Sequence, residues 1–454
     1  MWILILKSNC IKNEGFALPF ILFITLLVVS MLLGLISILF FLNNVESKKI
    51  KKKKLDLACT SAVQMLLSSE DSLVIGEKTI QTGKYPVFME IKGKGLFYEI
   101  TAGTNGGSDS SKVKYLIGYS NYFEENIALV ISRPGLRATV AGDTKIEGDI
   151  VSAADKINKG KIFGIENNTD SFIDGRLISE NSIPSKILDE TIVTGQLPFS
   201  AEEDDNEEIF IDGDLILSQS AVGNIDCTKE IAVQGNLIIS RSITANPGIG
   251  TIRLKVSGET VIEDNTQSNL DLEIKCDSII RVGNNVKLQN AILAAEGEVQ
   301  AENSYFKNVQ IFSADTIKIN NSQFDYPSVI CLYTDAGKVS ALKNSLIIRS
   351  SVINGMVMLI SSVTGLSQNK SMIDIDEKSI VQGLVYSENN LRMPSTVNGI
   401  VYTYNFWYYQ NPTEYINWLV NVKIDREKLS QWFLLPRGFS GSIKPGILKE
   451  QWIY

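Results

Sequence analysis

The sequence predicts a mostly β protein on an N-terminal transmembrane α-helix stem. A small β module follows, then a parallel β-helix (solenoid) closed by a short helical C-terminal cap. Three observations predict this. Residues 16–42 carry no charge, residues 136–400 repeat a short glycine-centred pattern, and residues 401–454 hold four of the five tryptophans.

The apolar run comes first. As a helix, its 27 residues would extend roughly 40 Å, more than the ~30 Å hydrocarbon core of a bilayer. Pro19 falls in the first turn, where proline costs little. A cleaved secretory signal would have a shorter apolar region followed by small residues, whereas this run leads into charge. Residues 16–42 are therefore read as a transmembrane helix. Leu55, Ala58, Cys59, Ala62, Leu66 and Leu67 recur at three- and four-residue steps, so an amphipathic juxtamembrane helix is expected over 43–70.

The residues before the span carry a resemblance. Lys12-Asn13-Glu14-Gly15 runs directly into Phe16-Ala17-Leu18-Pro19-Phe20. This resembles the class III leader of type IV pilins and pseudopilins, which a prepilin peptidase cuts between glycine and an apolar residue. The resemblance implies a leader-like segment 1–15, processing between Gly15 and Phe16, and a stem helix that packs into a filament. Major pilins carry Glu at the fifth mature position, where this chain has Phe20, so a minor, tip-type component is implied. Its partners would be membrane lipid and pilus or secretion-system subunits, or further copies of itself. Its place would be the inner membrane, single-pass, with the β domain periplasmic or at the cell surface. The lysine block Lys48, Lys49 and Lys51 to Lys54 opposes that orientation, because positive charge flanking a span marks the cytoplasmic side. The same block also suits anionic lipid headgroups.

Residues 71–135 read as a small β-rich module. Tyr85 to Ile91, Leu96 to Ile100 and Val113 to Tyr119 alternate apolar and polar residues, separated by Gly- and Ser-rich stretches. From 136 to 400 the motif apolar-x-Gly-x-apolar recurs. Examples are Ile146-Glu147-Gly148-Asp149-Ile150, Val233-Gln234-Gly235-Asn236-Leu237, Val381-Gln382-Gly383-Leu384-Val385 and Val397-Asn398-Gly399-Ile400-Val401. A short-strand repeat at about 22–25 residues is a β-solenoid signature, and about 11 coils are expected, with glycine at the tight corners. A pair of β-sandwiches is the rival. The texture also resembles that of bactofilins, polymerising bacterial scaffold proteins, which implies a membrane-tethered cytoplasmic scaffold as the alternative function.

Residues 401–454 are expected to form the cap, with short helices near 412–418 and 425–433. An aromatic platform for sugar or a partner is the alternative use of Trp407, Trp418, Trp432 and Trp452. The acidic run Glu202 to Glu208 reads as a solvated loop, with calcium binding as the sharper alternative. The chain has no histidine, which excludes a Ser-His-Asp triad, a Cys-His dyad and any His-ligated metal site. Its five cysteines lack zinc-ligand or redox spacing. A net charge of −8 argues against a nucleic-acid partner. No catalytic residue, cofactor or metal is assigned and an enzyme is not expected, although a polysaccharide-active β-helix enzyme is a further alternative.

Overall fold

The computed structural model describes residues 17–69, 73–106, 109–120, 123, 126–167, 169, 171–198, 208–222, 225–227, 229–244, 250–335, 344–363, 370–439 and 445–448. The chain divides into two compact units. One comprises Met1–Ile91 with Ile100–Lys114, and the other Lys92–Glu99 with Tyr115–Tyr454.

The first unit is built on one helix, Ala17–Ser68. Its first half is apolar all round, and the 20 large apolar side chains from Leu18 to Leu42 are all 43–75% exposed. The second half changes character. Leu55, Ala58, Cys59, Ala62, Val63 and Leu66 are buried, at the spacing that makes a single helical stripe. They face a small sheet whose first hairpin pairs Gly76–Thr82 antiparallel with Tyr85–Lys94. Lys51 forms an ion pair with Asp109 at 2.7 Å, the Ser111 hydroxyl donates to Asp56, and Leu55 lies against Gly106.

The second unit is a stack of layers of parallel strands. In the longest ladder, Glu208–Ile211 pairs with Glu230–Val233, which pairs with Ile252–Val256, then Leu272–Cys276. The ladder continues through the second halves of Lys287–Ala295, Tyr305–Ser313, Gln323–Thr334, Val352–Ser361, Ile380–Arg392 and Thr396–Gln410. A second ladder starts with Leu215–Leu217, Leu237–Ile239 and Thr260–Ile262. A third joins Gln267–Ser268 to Lys287 and Leu288, and continues through Tyr305, Gln323, Val352, Ile380 and Thr396. The three ladders wrap one apolar core that includes Leu254, Ile274, Leu293, Ile311, Phe324, Val357, Val385 and Val401. In cross-section the sheet is a near-closed parallel barrel.

This corrects the expected architecture, an open β-helix solenoid wound in chain order to a short helical C-terminal cap. The layers do not follow chain order. Ile127–Ile131 pairs with Val401 to Thr403, Lys145–Glu147 pairs with Lys423–Asp425, and Leu177–Ser179 pairs with Asp149–Ser152. Residues 127–179 therefore extend the end of the stack formed by the last strands of the chain, and Glu208–Ile211 lies at the other end. The repeat specifies what a layer looks like, and every layer looks alike to its neighbours, so spacing cannot give their order. The cap is not helical either. Thr413–Ile416 folds back antiparallel on Trp407 to Gln410, and Trp418–Val420 pairs in parallel with Thr139–Ala141. Tyr408, Tyr415 and Trp418 carry aromatic and β-favouring side chains that suit a pleated surface and pack beside Val420.

The glycines of the last layers share one physical cause. Gly355, Gly383 and Gly399 have φ of +154°, +148° and +157°. A Cβ at each would lie 2.0, 1.9 and 1.9 Å from the carbonyl oxygen of Ser328, Gly355 and Gly383, one layer away. A different corner, between the second and third ladders, is made by asparagine. Asn265, Asn285, Asn303 and Asn321 adopt φ of 63°, 57°, 50° and 43°, a region asparagine tolerates. Their amides interlock, with Asn285 Nδ2 donating to Asn265 Oδ1 at 2.8 Å and Asn321 Nδ2 to Asn303 Oδ1 at 2.6 Å. Beside them runs a buried hydroxyl ladder. The backbone N–H of Ser304, Ser322 and Ser351 donates to the hydroxyl of Ser322, Ser351 and Ser379 at 3.2, 3.0 and 3.1 Å.

Gly383→Ala should therefore cost ~2–6 kcal/mol, combining backbone strain with overpacking. Gly135→Ala, at φ +73° with open space around it, should cost only ~1–2 kcal/mol. Urea unfolding of both variants measures the difference, and equal losses would show that layer contact is not what the repeat protects.

Candidate functional site

Two places depart from ordinary globular packing. The first is the apolar half of the helix. The described part of the helix is long and apolar enough to cross a bilayer, as a membrane anchor or a signal sequence would be, and its most apolar stretch is not buried within the protein. The lysine block follows at the next turns, with Lys48, Lys49, Lys52, Lys53 and Lys54 exposed and Lys51 held by Asp109. The helix thus presents an uncharged apolar cylinder ending in a ring of ammonium groups.

The second is a buried polar cluster on the outer face of the longest ladder. Strands such as Val352–Ser361 bury both faces and read as continuous apolar runs. Their inner side chains fill the barrel, while Cys331, Tyr333, Met356, Met358, Tyr386 and Tyr402 point the other way. A returning segment covers them with Ile187, Leu188, Val193 and Leu197. Tyr386 fastens it. Its hydroxyl accepts from the Ile187 backbone N–H at 3.0 Å and donates to Glu388 Oε1 at 2.7 Å. Glu388 Oε2 accepts from the Ser361 backbone N–H at 2.9 Å. The Tyr402 hydroxyl donates to the Pro184 carbonyl, and Lys186 Nζ reaches the Ser362 carbonyl and Glu190 Oε2, both at 2.8 Å. Glu388 is fully buried, and burial pushes its carboxyl up to about 7, against its hydrogen bonds to Ser361 and Tyr386. Burial likewise raises the Tyr386 phenol well above its ordinary range. This arrangement stores a proton and holds a strap, but offers no open face to a reactant.

The processing pair Gly15 and Phe16 lies outside the described residues, as do Trp452 and the acidic run from Glu202 to Glu207. The other terminal tryptophans do not form one platform. Trp407 stacks on Tyr409 at 5.8 Å, Trp418 meets Tyr415 edge-on at 5.5 Å, and Trp432 lies in a separate turn. Among the described residues no group of three or more His, Cys, Asp or Glu could hold a metal ion. Sequence reading missed Glu388. Its one signal was an acid inside the strand Ile380–Arg392, following the apolar and small run from Gly383 to Val385.

No family model, no curated protein and no solved structure matches the chain. The resemblances to pilins and bactofilins therefore assign no family. The near-closed barrel with permuted layers also differs from an open bactofilin-like solenoid. The minor-pilin, bactofilin-scaffold and polysaccharide-enzyme readings have no support and are set aside.

The Glu388 proton gives a measurable pH dependence. In the unfolded chain this carboxyl ionises near its ordinary value of 4.5, and in the folded protein near 7. Its contribution to stability is fully present below 4.5 and is lost as pH rises through 7, on the order of 3 kcal/mol in all. Urea unfolding from pH 4.5 to 8 should show this decline in the native protein and a flatter profile in Glu388→Gln. Parallel profiles would mean that Glu388 ionises normally in the fold.

Proposed function

We propose that the chain is a single-pass membrane protein that holds a rigid β body beside the bilayer, and that it acts by binding and not by bond chemistry. The exposed apolar half of the helix carries this reading. Burying 20 large side chains at ~1.5–3 kcal/mol each provides a driving force on the order of tens of kcal/mol, and lipid is the partner that matches a cylinder apolar on every side. Retention of the helix, as opposed to its removal as a signal, is supported by its continuity with the buried stripe Leu55 to Leu66, which packs in its own unit. The absence of histidine and the enclosure of Glu388 favour binding over catalysis.

The outward placement of the body rested on the pilin resemblance. Without it, the lysine block is the strongest orienting signal, and it favours a body on the cytoplasmic face. There each exposed lysine would add ~1 kcal/mol of attraction to anionic lipid.

Full-length protein should float with liposomes in a sucrose gradient and resist high-salt extraction, whereas a chain beginning at residue 43 should stay with the soluble fraction. Flotation of the shortened chain in high salt would remove the helix as the anchor. A fluorescent reporter fused at the C-terminus should fold and fluoresce as a cytosolic protein. A reporter active only outside the membrane would reverse the orientation.

A further inference from the structure

A cleft of about 310 Å³ lies on the third ladder of the barrel, between its outer face and the turn-rich segment that follows Asp425. Its floor is a row of amides. Asn354, Gln382 and Asn398 occupy the position just before the repeated glycine and stand in register in successive layers, roughly 4.8 Å apart. Gln382 is exposed. The Oδ1 atoms of Asn354 and Asn398 are buried and receive no hydrogen bond from the protein, which is costly for a polar atom. The opposite wall comprises Leu429, Ser430, Trp432 and Phe433. Phe433 packs against the bare Cα of Gly383 and beside Tyr326 at 5.7 Å. Tyr326 fixes this wall, since its hydroxyl donates to the Leu434 carbonyl at 3.1 Å and accepts from the Leu434 N–H at 2.8 Å. Trp432, 42% exposed, stands on the wall with its backbone N–H held by the Ser430 hydroxyl at 3.2 Å.

The charges near the cleft are already engaged. Lys428 is paired with Asp425 at 2.7 Å. Asp325 accepts from the Tyr305 hydroxyl at 2.5 Å, from Gln323 at 3.0 Å and from Asn354 at 3.4 Å. Each strand of the floor lies between two neighbouring strands of the ladder, leaving no free sheet edge for a peptide to extend. What remains is the exposed amide of Gln382, with both donor and acceptor atoms, between the half-buried amides of Asn354 and Asn398, facing aromatic surface across a narrow gap.

We infer that this cleft binds a neutral saccharide. A pyranose ring has hydroxyls round its edge that both donate and accept, and an apolar C–H face that lies on an aromatic ring. The amide row supplies the first requirement and Trp432 the second. An anionic ligand would need an uncommitted cation beside the amides. The site is preorganised because each amide sits on a strand held in register on both sides, which lowers the ordering cost of binding. This inference is independent of the membrane anchor.

The test is titration of full-length protein in a zwitterionic, sugar-free detergent, followed by calorimetry and tryptophan fluorescence. The probes are the tetrasaccharides of β-1,4-glucose, β-1,4-mannose and β-1,4-N-acetylglucosamine, with tetragalacturonate as the charged comparison. At least one neutral probe should bind with a Kd below ~1 mM. Gln382→Ala should weaken it by ~3- to 10-fold, as expected for one hydrogen bond, and Trp432→Ala by ~10-fold or more. Trp432→Phe should recover part of the loss, and Trp407→Ala should leave affinity unchanged. Unfolding midpoints of all variants separate lost binding from lost folding. Failure of every neutral probe, binding of tetragalacturonate alone, or neutral binding unaffected by both Gln382→Ala and Trp432→Ala in folded protein would each overturn the inference.

Discussion

The distance between one layer's carbonyl and the next layer's Cα is the constraint on which the β body depends. At Gly355, Gly383 and Gly399 that distance leaves no room for a side chain. The repeated glycine is thus a spacer of zero size that lets parallel strands stack at hydrogen-bonding distance. Once layers are that close, like residues stand over like residues, and a polar group can find its partner in the copy of itself one layer on. The asparagine corners and the serine ladder exploit this. A hydroxyl that would be costly to bury alone becomes the acceptor for the next layer's N–H. The stacked rings of Phe306 and Phe324, 4.4 Å apart, follow from the same register.

Register also makes the longest ladder unusual. Its strands run up to 15 residues and bury both faces along much of their length, so its outer face needs a cover that the layers cannot supply. Residues 183–197 supply part of it. They are tied by single side chains, chiefly Tyr386, Tyr402 and Lys186, and not by a continuous strand pairing. A buried acid under such a cover would be unfavourable as a carboxylate. Burial accordingly raises the Glu388 carboxyl to about 7 against the two hydrogen bonds it accepts, which makes the attachment sensitive to pH.

The sequence showed the layers and not their order. The apolar-x-Gly-x-apolar motif marked most of the inward-facing strands, because an apolar alternation about glycine has few other uses. It faded between Gly258 and Gly355, where Asn290 and Asn308, at φ of 58° and 52°, hold the corner that Gly355 holds later. The interval there shortens to 18 residues, and a search tuned to glycine passes over it. The splice that puts Ile127–Ile131 beside Val401 to Thr403 left no local trace, since the partners are alike and the information lies in tertiary packing. The expected terminal helices failed for a related reason. Residues 413–420 have the polar and apolar mixture of a short helix, but neighbouring strands offer unpaired edges, and pairing with them outweighs weak helix propensity. Glu388 and the amide row were present in the sequence only as polar letters at positions whose facing the strand register decides.

The two units answer different physical demands, and this bears on how the protein works. The apolar half of the helix is specified by composition alone, because length and apolarity are what a membrane anchor or a signal sequence requires. The β body is specified by stacking geometry and gains nothing from lipid. Its core is closed by its own ladders, and its remaining apolar face is covered by its own returning segment. A body so complete in itself has no structural need for a membrane, so the apolar half of the helix contributes nothing to its fold. The residue before each repeated glycine points away from the core that stacking builds. Asn354, Gln382 and Asn398 occupy that outward position in successive layers, and three neutral amides there fill no part of the apolar core.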